Sequence, residues 1–202
     1  KTHLVPSTAG CFTPEDAVST AKMASELLET QWIKLEVTGC ARTLFPDMEG
    51  TLEAARELAK EGFYVLASTT DDPVLCQRLA DFGCVAVLPL TAPKYSGLGV
   101  ANQNRLHMIR DSVSIPMIVE AGIGSASDAT LAMELGADAV LANTAVAKAK
   151  DPVQMAHAMK LAVQSGRTAF LAGRMQQCLS VDASTPEADT VAPSMKGASS
   201  WP

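Results

Sequence analysis

The sequence is poor in aromatic residues (4%), in charge (19% Asp, Glu, Lys and Arg together) and in histidine (3 of 202 residues). Lys and Arg number 16 against 22 Asp and Glu, a net charge of −6, so there is no basic excess to meet nucleic acid or an anionic membrane surface. No apolar run approaches the roughly 18 residues of a membrane span, and residues 1–15 hold no signal-peptide core. The expected setting is therefore the cytoplasm, with no nucleic-acid and no membrane partner. The five cysteines (Cys11, Cys40, Cys76, Cys84, Cys178) are odd in number and contain no C-x-x-C pair, which argues against a disulfide framework or a zinc site and for buried thiols. His3, His107 and His157 lie far apart without ligand spacing, and no metal or other cofactor is expected. A starting methionine is also lacking: the first residue is Lys1.

What the sequence does have is a 48% hydrophobic content arranged in alternation. Apolar, β-branched runs of strand length recur at His3–Ser7, Trp32–Val37, Tyr64–Ser68, Val85–Leu90, Met117–Glu120 and Ala139–Asn143. Helix starts lie between them. Thr13-Pro14-Glu15-Asp16 reads as an N-cap, an N1 proline and an acidic first turn opening a helix to about Glu29, and Asp47, Asp72-Pro73, Ser125 and Asp151-Pro152 open others. Strand–helix alternation of this kind means a parallel α/β sheet, either doubly wound or a (βα) barrel.

One strand favours the barrel. Period-2 geometry puts Ile33, Leu35 and Val37 on one face and Trp32, Lys34 and Glu36 on the other. In a doubly wound sheet both faces are covered by helices, so Lys34 and Glu36 would be buried at high cost, whereas a barrel interior near the active-site mouth accepts them. About six of the eight βα units of a (βα)8 TIM barrel are expected, over residues 1–175, with two units preceding Lys1. Residues 176–202 are small, polar and proline-punctuated, and are expected to be an irregular tail.

A lysine midway along a strand is unusual. It reads either as an ion pair with Glu36 or as a Schiff-base lysine, in which burial lowers the ammonium pKa while Glu36 raises it and can carry protons. Met117-Ile-Val-Glu-Ala-Gly-Ile-Gly-Ser125 ends a strand in a carboxylate, Glu120, and continues into a G-x-G turn that can approach an anion. Ala142-Asn-Thr-Ala145 repeats the pattern at the next strand, and barrels often bind phosphate at two such loops. Thr69-Thr-Asp-Asp-Pro73 is read as a cap and loop. Ser96-Gly-Leu-Gly99 is expected to be a flexible loop that could close on a ligand, with Tyr95 facing the cavity or standing as a partly exposed aromatic.

Taken together, Pro6-Ser-Thr-Ala-Gly10, Trp32-Ile-Lys-Leu-Glu-Val37, Thr69-Thr-Asp-Asp-Pro73, Ala121-Gly-Ile-Gly124, Ala132-Met-Glu-Leu-Gly-Ala-Asp138 and Asn143-Thr-Ala145 resemble bacterial thiazole synthase, from about Leu4 to Arg174. The resemblance implies a (βα)8 barrel and the formation of thiazole phosphate for thiamin. It implies that Lys34 forms an imine with C3 of 1-deoxy-D-xylulose 5-phosphate and that Glu36 assists proton transfer. Ala121, Gly122, Asn143 and Thr144 match sugar-phosphate positions, with Gly124 in the same turn. Implied partners are a thiocarboxylated sulfur-carrier protein, 2-iminoacetate (dehydroglycine) from a separate oxidase or radical enzyme, and further copies in a homo-oligomer.

The family's strand-end aspartate is Glu120 here, an acid moved by a methylene. Its proline-isoleucine-glycine-serine-glycine loop is Pro93-Lys-Tyr-Ser-Gly97, which puts Tyr95 at a substrate-binding glycine, where its side chain can obstruct substrate, and Lys94 could compensate as an added phosphate contact. Two other readings stay open: a catalytically impaired homologue that binds or oligomerises, and a different Schiff-base enzyme acting on a sugar phosphate.

Overall fold

The structure is a computed structural model that describes residues 3–176; the expected tail at 176–202 lies outside the described residues apart from its first residue. In chain order the elements are α1 (Pro14–Leu28), β1 (Trp32–Leu35), α2 (Met48–Lys60), β2 (Tyr64–Thr70), α3 (Pro73–Asp81), β3 (Ala86–Leu90), α4 (Gln103–Ser112), β4 (Ile118–Val119), α5 (Ala126–Glu134), β5 (Ala139–Val140), α6 (Thr144–Ala147) and α7 (Pro152–Ala172). The helix starts fall where the sequence places them. Thr13, Asp47, Asp72 and Asp151 each accept a hydrogen bond from a first-turn amide, which satisfies donors that a helix N-terminus otherwise leaves unpaired. Glu29 closes α1 in the left-handed region at φ 50°.

Every pair of these strands is parallel: β1 with β2, β2 with β3, and β4 with β5. Parallel bridges Val87–Met117 and Leu90–Ala121 link β3 to the β4 segment, so spatial order follows chain order without reversal. The fold class is α/β. The described residues hold five strands rather than the six expected, because His3–Ser7 is not a strand. It touches β1 through one bridge, Ser7–Lys34, with Lys34 N–H donating to Pro6 O at 2.8 Å and Thr8 N–H to Lys34 O at 3.1 Å. Pro6 has no N–H to extend the ladder, and Leu4 and Val5 are exposed.

One apolar layer lies between strands and helices. Ile33, Leu35, Val65, Ala67 and Val87 are fully buried in a cluster with Ala17 and Ala21 of α1, Ala55 and Leu58 of α2, Leu79 of α3, and Leu106 and Ile109 of α4. Because successive strand residues alternate in direction, this leaves Lys34 and Ser68 on the opposite side of the sheet. At the N-terminal ends of β1 and β2, Trp32 and Tyr64 pair with ring centroids 5.0 Å apart.

Helices α5 and α7 pack at close range. A Cβ placed on Gly166 would lie 2.5 Å from Thr130 O and 2.7 Å from Met133 Cβ. Alanine favours a helix interior over glycine by about 1 kcal/mol, but here the clash wins. Gly166→Ala is expected to lower stability by about 1–3 kcal/mol, measured by urea denaturation; a gain would show that the helices part freely.

Candidate active site

Four charged side chains meet over the strand ends on the side away from the helices. Lys34 projects from β1 and Glu36 from just beyond it, while Glu120 follows β4 and Lys94 stands on the segment after β3. Lys34 Nζ lies 3.1 Å from Glu36 Oε2 and also contacts Glu120 Oε1. Lys94 Nζ lies 2.6 Å from Glu36 Oε1 and 3.6 Å from Glu120 Oε1. The result is a closed ring of alternating charge, Lys34–Glu36–Lys94–Glu120, whose side chains are only 16, 8, 8 and 5% exposed in that order.

Hydrogen bonds hold the ring from below. Ser68 on β2 donates to Glu120 Oε2 at 2.5 Å. The buried Thr8 hydroxyl accepts from Glu36 N–H and donates to Glu36 O, both at 2.8 Å, and so locks the backbone that carries this carboxylate. Burial presses the Lys34 ammonium toward losing its proton, but the charges and hydrogen bonds of Glu120 and Glu36 outweigh it and the net pKa shift is upward. Burial likewise works to raise the Glu36 pKa. The Lys94 hydrogen bond and the Lys34 charge prevail and lower it. The site thus holds Lys34 as an ammonium in contact with two carboxylates.

A cavity of about 580 Å3 opens above the ring, within the usual size range for small-molecule sites. All nine residues singled out in the sequence line it: Lys34, Glu36 and Glu120 at one end, Ala121, Gly122 and Gly124 along one wall, Asn143 and Thr144 at the start of α6, and Tyr95 at the rim. Gly124 N–H donates to Asp128 Oδ2 at 2.9 Å and Ser125 N–H to the same oxygen at 3.0 Å, so these amides are already occupied. Tyr95 is 65% exposed with its backbone at φ 64°, a region costly for a non-glycine residue. Lys94 pairs with Glu36.

The Ser96–Gly99 stretch is docked. Gly99 N–H donates to Gly122 O at 2.7 Å, and the Thr91 hydroxyl lies 3.2 Å from Gly99 O and 2.6 Å from Ala121 O. Gly122 is at φ 102°, and a Cβ there would collide with Gly99 O and lie 2.5 Å from Thr91 Oγ1, so the two loops fit only without a side chain. Sequence reasoning misses Ser68, although its inward place on β2 is readable from strand alternation. Lys148, after α6, also lines the cavity and is not singled out by the sequence.

Among the described residues no group of His, Cys, Asp and Glu could hold a metal ion, and no helix is long and apolar enough to cross a membrane. The expectation of buried thiols holds for Cys76 and Cys84, but Cys11 is half-buried and Cys40 is exposed, on a loop closed by its own backbone through Gly39 N–H to Phe45 O at 2.9 Å. Cys178 lies outside the described residues.

The family model for thiazole biosynthesis protein ThiG matches residues 1–186. The chain belongs to that family. Thiazole synthase of Sorangium cellulosum is 57% identical over 189 residues, covering 94% of this chain and 73% of that one. Thiazole synthase of Myxococcus xanthus is 54% identical over 184 residues, covering 91% and 70%. Among solved structures, the Amycolatopsis orientalis BexX/CysO complex superposes with TM-score 0.82 at 37% identity, covering 86% of this chain and 70% of that one. A mandelate oxidase variant bound to 2-hydroxy-phenylacetamide, at 17% identity and TM-score 0.54 over 78% of this chain and 55% of that one, shares the fold alone. The expectation of an enzyme of the thiazole synthase family, in thiamin biosynthesis, is borne out.

Two outcomes follow from these surroundings. Gly122→Ala is expected to lower stability by about 1–3 kcal/mol, read by thermal melts. Burial pushes the Cys76 and Cys84 thiols up to about 12, whereas the Thr43 hydroxyl and the Thr43 and Arg42 amides lower the Cys40 thiol. An alkylating agent at neutral pH, followed by peptide mapping, should label Cys40 in the native protein and reach Cys76 and Cys84 only after unfolding.

Proposed function

We propose that this family member forms thiazole phosphate through a Schiff base at Lys34, taking 1-deoxy-D-xylulose 5-phosphate, 2-iminoacetate and sulfur from a thiocarboxylated carrier protein. The observation that carries the reading is the contact of Lys34 Nζ with two buried carboxylates at the end of a cavity of about 580 Å3. Glu120 takes the ammonium proton as substrate displaces the resting contacts. The neutral amine adds to the ketone carbon, and its two hydrogens leave with the carbonyl oxygen as water, giving the imine. Glu120 returns its proton to the imine nitrogen, and Glu36 accepts a proton from the carbon next to it, the C–H electron pair forming the carbon–carbon double bond of the enamine.

The sugar phosphate extends along Ala121 and Gly122 to Asn143 and Thr144. Gly124 contributes close backbone approach rather than a donor, its amide being held by Asp128, and Tyr95 flanks the entrance. Residues 1–175 are read as part of a (βα)8 barrel whose strand order without reversal, β1 to β5, supports closure over an open doubly wound sheet. A protein partner is supported by a structural relative held in complex with a second protein, CysO. Homo-oligomerisation, a radical-enzyme partner and a cytoplasmic setting belong to the same reading. The complete acid–base set around Lys34 favours an active enzyme over an impaired binding homologue.

Borohydride reduction in the presence of 1-deoxy-D-xylulose 5-phosphate should attach the sugar phosphate to the Lys34 peptide, read by mass spectrometry. Lys34→Arg should abolish it, because a guanidinium stays protonated. Since the Lys34 pKa is raised, the free-amine fraction is small at neutral pH, so the trapping rate should climb steadily as pH rises from 7 toward the ordinary lysine range. Attachment at Lys94, or an adduct that survives Lys34→Ala, would overturn the assignment.

A further inference from the structure

A second lysine inside the ring has no role in the chemistry above. Lys94 follows Pro93 on the segment after β3, where the left-handed backbone of Tyr95 turns the aromatic ring outward, 65% exposed, while the Lys94 side chain lies inward at 8% exposure. A buried ammonium persists only when it is paired, and here the pairing is selective. Lys94 takes one oxygen of Glu36, leaving the other to Lys34.

We propose that Lys94 is a positioning residue: by holding the Glu36 carboxylate and placing a second positive charge beside Lys34, it sets how readily Lys34 gives up its proton. This rests on Lys34 being the nucleophile.

The charges around Lys34 come from separate elements. Glu36 lies on its own strand segment, Glu120 after β4, with its second oxygen held by Ser68 of β2, and Lys94 on the segment after β3. Lys148, after α6, lines the same cavity. With Lys94 present, two carboxylates face two ammonium groups and the ring is neutral. Without it, Lys34 alone would face both carboxylates. Losing a like charge and gaining the undivided attraction of Glu36 both favour the ammonium form, so both act in the same direction on the Lys34 proton. A phosphate-binding role would instead require Lys94 to leave Glu36 and turn along the cavity.

The test reads the Lys34 titration without using carbonyl chemistry. Trace acetic anhydride labels free amines, and peptide mass spectrometry of the full chain across a pH series gives the Lys34 profile. In Lys94→Met the midpoint should move to higher pH, and labelling at a fixed pH below it should fall about tenfold. Lys94→Arg, which keeps the charge, should stay close to wild type. An unchanged or lower midpoint in Lys94→Met overturns the proposal, as would a loss confined to binding of phosphorylated substrate. Circular dichroism checks folding; should Lys94→Met not fold, Lys94→Gln carries the same expectation. A wild-type chain that forms no borohydride adduct, yet shows the Lys94-dependent shift, would refute the Schiff base while keeping Lys94's control of the Lys34 proton. Adduct formation with an unshifted profile would do the reverse.

Discussion

Two ammonium groups and two carboxylates share a space with little access to water, and each is held by two of opposite sign. Isolated burial of any one of them would cost several kcal/mol, and deletion of a partner from a buried pair typically costs about 3–5 kcal/mol. The closed alternation offsets this, since every carboxylate and every ammonium has a neighbour of opposite charge on either side. The geometry needed to close such a ring is demanding. Lys34 and Glu36 must project from the same side of one segment, and Glu120 must reach them from across the sheet. Lys94 must enter from the segment between β3 and β4. The parallel order β1–β2–β3–β4 supplies all three approaches, with Ser68 of β2 between Lys34 and Glu120.

The second constraint is that Lys94 comes from a connecting segment, not from a strand. Such segments ordinarily sample many conformations. This one is fixed by backbone contact. Gly99 N–H meets Gly122 O, and the Gly97 and Gly124 backbones approach so closely that a Cβ on Gly124 would lie 2.6 Å from Gly97 O. Glycine at these positions is what permits the approach. The left-handed Tyr95 costs conformational energy, and the docked segment around it supplies the contacts that hold it there. The same docking builds one wall of the cavity, so the arrangement of charge and the shape of the ligand site depend on one set of loop–loop contacts.

Much of this is legible in the sequence because it is local. Thr13-Pro14, Asp47, Asp72-Pro73 and Asp151-Pro152 declare helix starts through hydrogen bonds spanning two or three residues. Lys34 and Glu36 stand out because a period of two cannot hide charge among apolar neighbours. Ser68 escapes notice because its partner Glu120 is 52 residues away and a lone serine in a strand carries no local sign of it. His3–Ser7 has the composition of a strand, whereas strand formation depends on a neighbour and a continuous ladder, and Pro6 interrupts the second. The described residues accordingly hold five strands, not six. For Lys94, nothing local in the sequence marks the pairing with Glu36, because the fold decides which carboxylates come within reach of a flexible ammonium.

Two of the departures that the resemblance points to, Glu120 and Lys94, meet in space, with Lys94 Nζ 3.6 Å from Glu120 Oε1. Neither is then best weighed alone. The extra methylene of Glu120 carries its carboxylate far enough to touch Lys34 with one oxygen while Ser68 holds the other. That brings negative charge up to Lys34, which by itself retains the proton more firmly and slows nucleophilic attack. A positive charge added at Lys94 acts in the opposite direction and draws Glu36 partly away. Substitutions that act in opposite directions on one proton and lie in contact are expected to couple, so that either reversed alone disturbs the Lys34 proton more than both reversed together. The ring is better understood as one titrating unit of four groups than as a lysine with an adjustable neighbour.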